Sequence, residues 1–581
     1  MMPAHGPAET HGAAAEGGGI AERLRDLAHL PRDIAFARLG YGLKRPIFSL
    51  PIYHYSLGGV SATALEVVPT DPWPGNAEHG AEIADGAFTL AGQRLNQPSP
   101  RWAPAGARPE WLAELHGFAW LRDLRAGTGD NARRAARELT GDWLDRHGAW
   151  TAPAWDPLIT GRRLANWLGC YEFFAASADL HFRHRLLDGI AHQARHLSRV
   201  LPAGLAGADL IAAVKGLIYA GVCLPGGETW RARGLAILKR EIPRQVLADG
   251  GHAERCPSRH LAVLRDLIDL RAALHKGKAH ADGAPIELRD AIDSMAPVLR
   301  MFQHGDRGLA LFNGSNEEDG LQVDMVLQRA GNRRRALNSA PESGFQCMRA
   351  GRTAVIVDTG DPPPPGLDAH AHAGTFALEV SVGRERLIVN CGARVGDPAW
   401  QWAQRASAAH STLVLNDTNS STLAPGHGIG RRSRVLYCRR EGADNGIWLD
   451  MSQNGYEPAF GVIHRRRLYL NPDGTDLRGE DRLETRGRGR ARGGTFALRF
   501  HLHPEVQASL ARGGDSVLLR LPKGGGWQLR TAGAAADLEQ SIYLGRGGEI
   551  RRSRQIVFSG ETGADGVKVK WALRRIERKR A

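Results

Sequence analysis

Several histidines lie close together in the second half of the chain, in and after the stretch DAHAHAGTFALEVSVGRERLIVNCG. His370 and His372 are two residues apart, so on an extended strand both side chains face the same side. Asn390 follows after a strand and a turn, and His410 begins another strand-like run. Two imidazoles and an oxygen ligand can hold one structural divalent cation, Zn²⁺ or Ca²⁺. The alternative is that these imidazoles only hydrogen-bond backbone groups inside a sandwich core.

A second polar cluster, LADGGHAERCPSRHLAVLRDLIDL, interrupts the first half of the chain. Two adjacent glycines break a helix here, and His252, Glu254 and Arg255 follow them. Pro257 then opens the next helix. A glycine break between inner helices places polar side chains at the rim of a helical array, where a cleft would lie. The alternative is a plain helix–helix connection in which Glu254 and Arg255 pair at the surface.

A third segment, GRRLANWL, combines Arg163 and Asn166 with a tryptophan, which are residue types suited to anion contact and sugar stacking. The same residues serve equally well as structural side chains of a helical array, and this core interpretation is favoured. Further along, FHLHP again places two histidines on one strand face. We favour a structural role for that pair as well.

The elements that must position these residues differ between the two halves. From about residue 19 to 303 apolar residues recur at helical spacing, with short loops between segments, which indicates consecutive helical hairpins. PEWLAELHGFAWLRDLRAG predicts one helix, and DLIAAVKGLIYAGVCL is apolar almost all round, as inner helices are. After GDRGLALFNGSNEEDG, short alternating runs divided by turns predict a large antiparallel β-sandwich. The sequence therefore predicts a multidomain chain that is first α and then β.

Composition and the absence of several catalytic motifs exclude some classes of function. The chain has 581 residues, of which 42% are hydrophobic and 24% charged, and a net charge of +14, which favours polyanionic partners. Its six cysteines are scattered without metal-ligand spacing, and no apolar run is long enough to cross a membrane. The sequence has no phosphate-binding lysine loop, nucleophile elbow, HExxH motif or dinucleotide fingerprint. Nucleotide hydrolysis, serine hydrolysis and redox chemistry therefore have no support.

The two polar clusters, with the one around Glu254 preceding the histidine cluster along the chain, resemble the heparinase II/III family of polysaccharide lyases. The resemblance is greatest to a branch common in alphaproteobacteria. Further stretches agree along almost the whole chain, among them DPWPGNAEHG, FAWLRDLRA, DGGHAERCP, HAHAGTFALEVSVG, AAHSTLVLND, GVIHRRRLYL and FALRFHLHP. The resemblance implies an incomplete α/α toroid followed by an antiparallel β-sandwich, with the substrate cleft between them. We expect a disordered tail over 1–18, the toroid over 19–305, a linker with the first strands over 306–345, and the sandwich over 346–581.

The chemistry that the resemblance implies is β-elimination at a uronic acid of a polysaccharide. A neutral or cationic group must offset the uronate charge, a base removes the C5 proton, and an acid protonates the departing O4. In the family these roles belong to an Asn or His in a G-N-H-like segment, a Tyr, and the first His of an H-x-H segment. A nearby metal is held by the second His, an Asp on the next strand and a later His.

The sandwich half matches most of these positions. His370 would be the catalytic histidine, while His372 and His410 would be metal ligands. Asn390 stands where the family has the Asp, which removes the only negative charge from the predicted cation site.

The toroid half departs from the family at both of its catalytic positions. The G-N-H-like position has Ala208 followed by Asp209, and an Asp would repel a uronate. The tyrosine position is Arg259, which is a poor general base but a good carboxylate clamp.

Three hypotheses remain, and a lyase with rearranged roles is favoured. In it Arg259 or Arg255 clamps the carboxylate, His370 is the base, and His252 or His260 assists. The predicted substrate contacts are Arg255, Glu254, Asp209, Asn166 and Arg163. The second hypothesis is a catalytically silent glycan-binding or cell-envelope polysaccharide-assembly protein. The third, a nucleic-acid or membrane-surface binder, is least favoured because the basic charge is spread along the chain without aromatic-plus-basic recognition motifs.

The expected partner is an acidic polysaccharide, of a glycosaminoglycan-like, alginate-like or bacterial exopolysaccharide kind, and no nucleic acid is expected. The resemblance implies a location in the periplasm or cell envelope. The N-terminus lacks the pattern of a secretory signal, which leaves the cytoplasm as the alternative.

Overall fold

The computed structural model describes residues 27–59, 62–96, 101–127, 129–277, 284–394, 397–424, 428–485, 492–511, 513–547 and 549–576. The tail predicted over 1–18 lies outside these residues. Helices come first along the chain and strands follow, as the change in apolar period predicts.

The first part of the chain is mainly helical. Its helices are α1 (Arg32–Phe48), α2 (Pro51–Ser56), α3 (Ala77–Ala84), α4 (Pro109–Gly117), α5 (Leu121–Ala126), α6 (Asp130–His147), α7 (Pro157–Gly169), α8 (Tyr171–Phe174), α9 (Leu180–Val200), α10 (Gly207–Cys223), α11 (Glu228–Gln245), α12 (Pro257–Lys276), α13 (Ile286–Phe302) and α14 (Gly320–Ala330). An antiparallel hairpin, β1 (Ala87–Leu90) with β2 (Gln93–Asn96), lies between α3 and α4. Within the ranges given above, no helix is long and apolar enough to cross a membrane.

Helices α7 and α10 pack backbone against backbone in the middle of the helical part. A Cβ atom at Gly216 would lie 2.1 Å from the carbonyl oxygen of Gly161, so only glycine permits this approach. Helix α10 is buried on nearly every side, as its apolar composition predicts. The close crossing fixes the edge of both helices that faces the sandwich.

The second part of the chain is built of antiparallel strands in two large sheets. The strands are β3 (Ser339–Ala340), β4 (Phe345–Ala350), β5 (Thr353–Asp358), β6 (Leu378–Val382), β7 (Glu385–Val389), β8 (Leu413–Leu415), β9 (Leu423–Ala424), β10 (Gly428–Ile429), β11 (Val435–Ala443), β12 (Gly446–Gln453), β13 (Val462–Leu470), β14 (Asp476–Thr485), β15 (Gly494–Leu502), β16 (Gln507–Leu510), β17 (Ser516–Arg520), β18 (Gly526–Ala532), β19 (Ala535–Tyr543), β20 (Arg551–Thr562) and β21 (Val567–Arg575). One sheet has the order β11-β12-β13-β14-β21-β18-β17-β16. The other has the order β19-β20-β15-β7-β6-β5-β4-β3, and β8 pairs with β15.

A buried arginine in the sandwich core holds two loops that carry candidate residues. Arg466 on β13 pairs with Asp481 on β14 at 2.7 Å, and both side chains are fully buried. Its guanidinium also donates to the carbonyl oxygens of Phe376 and Ser411. Because Ser411 follows His410 directly, this hydrogen bond fixes the backbone next to that histidine.

The helical part and the sandwich are joined through Arg255. Its guanidinium is buried and donates to the carbonyl oxygens of Ser343, Gly344 and Asp361. It also pairs with the buried carboxylate of Asp358, at the end of β5. These contacts tie the loop before α12 to the first strands of the sandwich.

Two local features differ from the sequence-based expectation. The single helix predicted for PEWLAELHGFAWLRDLRAG is two helices, α4 and α5, because Phe118 adopts a left-handed conformation with φ of 59° and ends α4. The stretch 306–345, predicted as a linker with the first strands, contains α14 before β3 begins. Two short helices, α15 (Pro398–Arg405) and α16 (Glu457–Phe460), also interrupt the strands.

Candidate functional site

A cleft of about 490 Å³, lined by several charged side chains, lies in the helical part, and Arg259 at its wall is an electrostatic neighbour of His370 in the sandwich. Its wall is formed by side chains of α7, α10, α12 and α14, together with Trp73 and residues near α4 and α5. Of the sequence-predicted residues, Asn166, Asp209 and Arg259 line it directly. The cleft is therefore the place where the predicted toroid residues can meet a ligand.

Arg259, which the sequence resemblance placed at the family's tyrosine position, is held between the carboxylates of Glu254 and Asp209. Its Nε donates to Glu254 at 2.8 Å and its Nη1 donates to Asp209 at 3.0 Å. Although burial acts to lower the pKa of Arg259, the two carboxylates outweigh it and raise that pKa. Burial acts to raise the pKa of Asp209, but Arg259 and then Arg162 lower it overall. Arg259 and Asp209 are therefore ionised, and the guanidinium of Arg259 is already bonded to two acidic side chains.

The start of α10 is fixed by the same network. Oε1 of Glu254 accepts the backbone N–H of Ala208 at 2.7 Å. Gly207, the residue before it, has a φ of +58°, and a Cβ there would lie 2.1 Å from Oε1 of Glu254. Glu254 thus positions both Arg259 and the first turn of α10 at Ala208.

His370 lies on the sandwich side and does not line the cleft, but its electrostatic neighbours include Arg259, Glu254 and Asp209. Desolvation and the charge of Arg259 both lower its pKa, so its imidazole is neutral at pH 7. The fold therefore brings His370 together with the polar cluster of the helical part, more than a hundred residues earlier in the chain.

His372 and His410 form a buried pair. Nδ1 of His372 lies 3.0 Å from Nε2 of His410, and Nδ1 of His410 lies 2.8 Å from the carbonyl oxygen of Ala406. Since a carbonyl only accepts, His410 carries its proton on Nδ1 and accepts on Nε2 from His372. Burial lowers the pKa of both, to about 4 for His410, so the pair is neutral.

The side-chain amide of Asn390 is hydrogen-bonded to groups other than the two histidines. Its Nδ2 donates to Glu379 at 3.2 Å and its Oδ1 accepts the backbone N–H of Ser411 at 3.0 Å. Among the described residues, no group of three or more His, Cys, Asp or Glu could hold a metal ion. The predicted set of His372, Asn390 and His410 does not fit a divalent cation as placed, because it lacks a carboxylate and its amide is already bonded. The cation stays a prediction without structural support.

Among the residues predicted as catalytic or substrate-binding, four do not line the cleft and are bonded within the fold: His252, His260, Arg255 and Arg163. His252 bonds Gln245 and His260 bonds the carbonyl of Met295, and burial lowers their pKa values to about 4 and about 3. The guanidinium of Arg255 is bonded to Ser343 and Asp358 of the sandwich, as described above. Arg163 is fully buried, where it bonds Gln193 and packs on the Trp143 ring. For Arg163 the core interpretation holds.

Asn166 belongs to the cleft wall but is bonded to the fold. Its Nδ2 donates to the carbonyl oxygen of Gly117 at 2.7 Å, which connects α7 to the end of α4. Its remaining surface faces the cleft.

Sequence analysis missed two residues that line the cleft. Lys215 pairs with Asp266 and Asp269, and its presence in an otherwise apolar helix was the available signal. Arg265 lies 4.6 Å from the centre of the Trp73 ring, also at the cleft.

Asn313 connects the two predicted clusters. Its Nδ2 donates to the carbonyl of Arg255 at 3.0 Å, and its Oδ1 accepts the N–H of His372 at 3.0 Å. It adopts a left-handed conformation with φ of 48°, which asparagine tolerates better than most residues. The NG pair within GLALFNG was the available signal for such a turn.

The cleft is close to electrically balanced. Five cations line it: Arg122, Arg162, Lys215, Arg259 and Arg265. Four carboxylates also line it: Glu114, Asp209, Asp266 and Glu318. Burial raises the pKa of Glu114 and Glu318. The basic character of the whole chain is therefore not concentrated in the cleft.

A helical toroid joined to an antiparallel sandwich, with a cleft lined by charged side chains in the helical part, defines a scaffold of the polysaccharide-lyase type. The chain belongs to the heparinase II/III family. The family model described as Heparinase II/III N-terminus matches residues 102–331, and the model described as Heparinase II/III-like, C-terminal matches residues 332–572. The boundary between them falls just after α14.

Relatives of two kinds are similar to this chain. FtsZ-localized protein C of Caulobacter vibrioides is 32% identical over 540 residues, which covers 88% of this chain and 90% of that protein. Heparin-sulfate lyase of Bacteroides thetaiotaomicron is 22% identical over 234 residues, which covers 37% of this chain and 33% of that protein. A crystal structure of heparinase III is similar with a TM-score of 0.68 at 16% identity, covering 96% of this chain and 92% of that one. This likeness confirms the predicted fold, a toroid followed by a sandwich.

Proposed function

We propose that this protein binds an acidic saccharide in the cleft of the helical part and does not cleave it. The proposal rests on the arrangement in which Arg259 is held between Glu254 and Asp209. β-Elimination needs a base for the C5 proton and an acid for the departing O4. Arg259 can serve as neither, because its raised pKa keeps its protons in place.

Saccharide binding is supported by the groups that remain open in the cleft. Arg265 stacks on Trp73 and lines the cleft, where its guanidinium can form charge-assisted hydrogen bonds with a carboxylate. The cleft volume of about 490 Å³ lies within the usual range of small-molecule sites. The family scaffold supports a polysaccharide as the ligand class.

The first experiment compares elimination with binding on one panel of uronate-containing polysaccharides and their oligosaccharides. Elimination is followed by the ultraviolet absorbance of the 4,5-unsaturated product, and binding by titration calorimetry. We expect no absorbance change and a measurable Kd for at least one ligand. Arg265→Ala should weaken that binding about tenfold or more, because it removes the carboxylate partner.

The matched control is Arg439→Ala, which removes the same charge from β11, an exposed strand far from the cleft in the fold. It should leave the Kd unchanged. Absorbance that grows with the wild type and disappears in His370→Ala would overturn the proposal and establish a lyase in which His370 is the base. Absence of binding to every ligand would also overturn it.

A second candidate function is localisation with FtsZ, as the name of the Caulobacter vibrioides relative states for that protein. It is supported by 32% identity over 90% of that relative's length. We expect a fluorescent fusion of the full chain to colocalise with FtsZ in dividing cells of the native host. Fluorescence that stays diffuse while FtsZ forms its ring would contradict this candidate without affecting the proposal for the cleft.

A further inference from the structure

The sheet that contains β12, β13, β14, β21 and β18 has a row of aromatic and basic side chains on its outer face. Residues directly opposite each other on neighbouring strands lie on the same face of a sheet. Here they are, in spatial order, Trp448, Tyr469, Arg478, Ala572 and Arg530. The residues next to the last three along their strands, Leu477, Leu573 and Leu529, are buried in the sandwich core. Because side chains alternate along a strand, the row itself points outward.

A depression of about 570 Å³ lies on this face, over β21 and β18. It forms because Ala572 and Ala532 on these strands have short side chains between the longer ones of their neighbours. At one end the Trp448 ring is 41% exposed and lies 4.5 Å, centre to centre, from the ring of Tyr469. Four cations line the depression: Arg467, Arg478, Arg530 and Lys570. An exposed aromatic ring and several positive charges therefore face the same space.

A second depression of about 850 Å³ adjoins the first, because Arg478 lines both. It lies by the turn between β13 and β14 and the loop between β17 and β18, and it adds four cations: Arg352, Lys523, Arg574 and Arg575. We call the two depressions together the sandwich groove. Eight cations and three carboxylates line it, whereas five cations and four carboxylates line the cleft. Basic residues from segments far apart in the sequence are thus concentrated on this face by the pairing of the strands.

Two carboxylates lie among the cations of the groove. Asp476 pairs with Arg478 at 2.7 Å and with Arg574 at 3.2 Å, and Glu480 lies 3.8 Å from Nζ of Lys570. A carboxylate oxygen in such a place can accept a hydroxyl group of a ligand, but it repels the phosphates that follow one another at short, regular intervals along a nucleic acid. The groove therefore fits a polymer that carries both hydroxyl groups and spaced negative charges.

We infer that the sandwich groove binds an acidic polysaccharide, at a site separate from the cleft. The exposed ring of Trp448 offers a flat surface on which the apolar face of a pyranose ring packs. The guanidinium groups beside it can pair with uronate carboxylates through two parallel hydrogen bonds. The residues that line the groove differ from those that line the cleft, so this inference does not rest on the function proposed there.

The test is binding of the full-length protein to immobilised alginate and hyaluronate, with neutral dextran as the reference surface, at about 0.15 M ionic strength. The wild type and Arg265→Ala are both measured, and Arg265→Ala is the parent for the groove substitutions because it removes the carboxylate contact proposed for the cleft. We expect a measurable Kd for at least one uronate polymer and no binding to dextran. Adding Arg530→Ala/Lys570→Ala should weaken that binding about tenfold or more, because two carboxylate partners are lost.

Substitutions at Trp448 separate ring stacking from charge. Trp448→Ala leaves the net charge unchanged and should weaken the binding about fivefold, because the stacking surface is lost. Trp448→Phe should retain most of the affinity, because an aromatic ring remains. Unchanged affinity in Trp448→Ala would contradict the assignment of a saccharide ring to this position.

The matched control is Arg439→Ala/Lys239→Ala, which removes one Arg and one Lys from β11 and α11, where the two side chains are 75% and 73% exposed. It should bind as the parent does. Both double variants should keep the parent's melting temperature, since all four side chains are exposed.

Equal weakening by the two double variants would overturn the inference, and so would the absence of binding to either uronate polymer. Tighter binding of a single-stranded oligothymidylate that is lost in Arg530→Ala/Lys570→Ala would also overturn it, because nucleic acid would then be the occupant of the groove. Binding that is lost with the groove substitutions but is the same in the wild type and Arg265→Ala would support the inference and count against the cleft proposal alone.

Discussion

Arg255 and Arg259 lie four residues apart in the chain, yet their guanidinium groups have different kinds of partner. Arg255 bonds three backbone carbonyls and the carboxylate of Asp358, all in the sandwich half. Arg259 bonds Glu254 and Asp209, which both belong to the helical half and the cleft. The local sequence does not distinguish the two arginines. Their partners, which are distant in the sequence, show that Arg255 is structural and that Arg259 belongs to the cleft.

Replacing Arg255 tests its structural role. Arg255→Ala should lower the free energy of unfolding by about 3–5 kcal/mol, because it leaves the buried carboxylate of Asp358 without its partner. Burial acts to raise the pKa of that carboxyl group, which Arg255 opposes. The measurement is urea denaturation followed by circular dichroism.

The matched control for this substitution is Arg162→Ala. Its side chain is 40% exposed and lies 3.5 Å from Asp209, so its loss should cost less than about 1 kcal/mol. Equal destabilisation by the two substitutions would contradict the role assigned to Arg255.

At the scale of elements, the start of α10 depends on a glycine whose environment is unusually tight. Gly207→Ala should destabilise the protein more than Gly226→Ala, which lies in the turn between α10 and α11. Both glycines have positive φ, +58° and +71°, so both substitutions carry a backbone cost of about 1–2 kcal/mol. Only at Gly207 would the new Cβ meet Oε1 of Glu254, whereas nothing lies within 4 Å at Gly226.

The expected difference between the two variants is about 1–3 kcal/mol, the cost of displacing a buried, hydrogen-bonded carboxylate. It is measured as the difference in unfolding free energy under identical conditions. Identical losses at both positions would show that Glu254 moves aside freely.

The elements were predictable from sequence where apolar period was strong and unpredictable where a single residue adopts an unusual conformation. The inner helix α10 and the alternating strands, such as β13, follow their patterns. The break between α4 and α5 does not, because Phe118 is a poor candidate for a left-handed cap and is held there by core packing. The cleft residues Lys215 and Arg265 belong to helices whose apolar pattern predicts the helix but not which charged side chains meet across it.

At the scale of the whole molecule, buried histidines make stability depend on pH. Burial lowers the pKa of His116, His260 and His501 to about 3, and that of His252 and His410 to about 4. The unfolded chain therefore binds more protons than the folded protein below the ordinary histidine pKa of about 6.5. This contribution to stability is complete above that pH and is lost progressively as the pH falls toward 4.

We therefore expect a clearly lower melting temperature at pH 5 than at pH 7, measured calorimetrically at constant ionic strength. Lowered carboxyl pKa values, such as about 2 for Asp71 and Asp481, take effect only below the ordinary carboxyl range, so they do not produce this loss. Burial raises the pKa of Glu114 and Glu318, which acts in the opposite direction and is outnumbered by the histidines. A melting temperature that is flat between pH 5 and 7 would contradict these histidine assignments.

The paired arrangement around Arg259 also limits how the sequence of this cleft can change over evolutionary time. A tyrosine introduced at position 259 alone would leave the carboxylates of Asp209 and Glu254 without their arginine partner, and Glu254 is buried. Removing Asp209 first is the cheapest step, because Asp209 is partly exposed and Arg259 would keep Glu254. From there positions 254 and 259 must change together, since either change alone leaves a charge without its partner. A change to tyrosine at position 259 therefore requires a matching loss of charge at position 254.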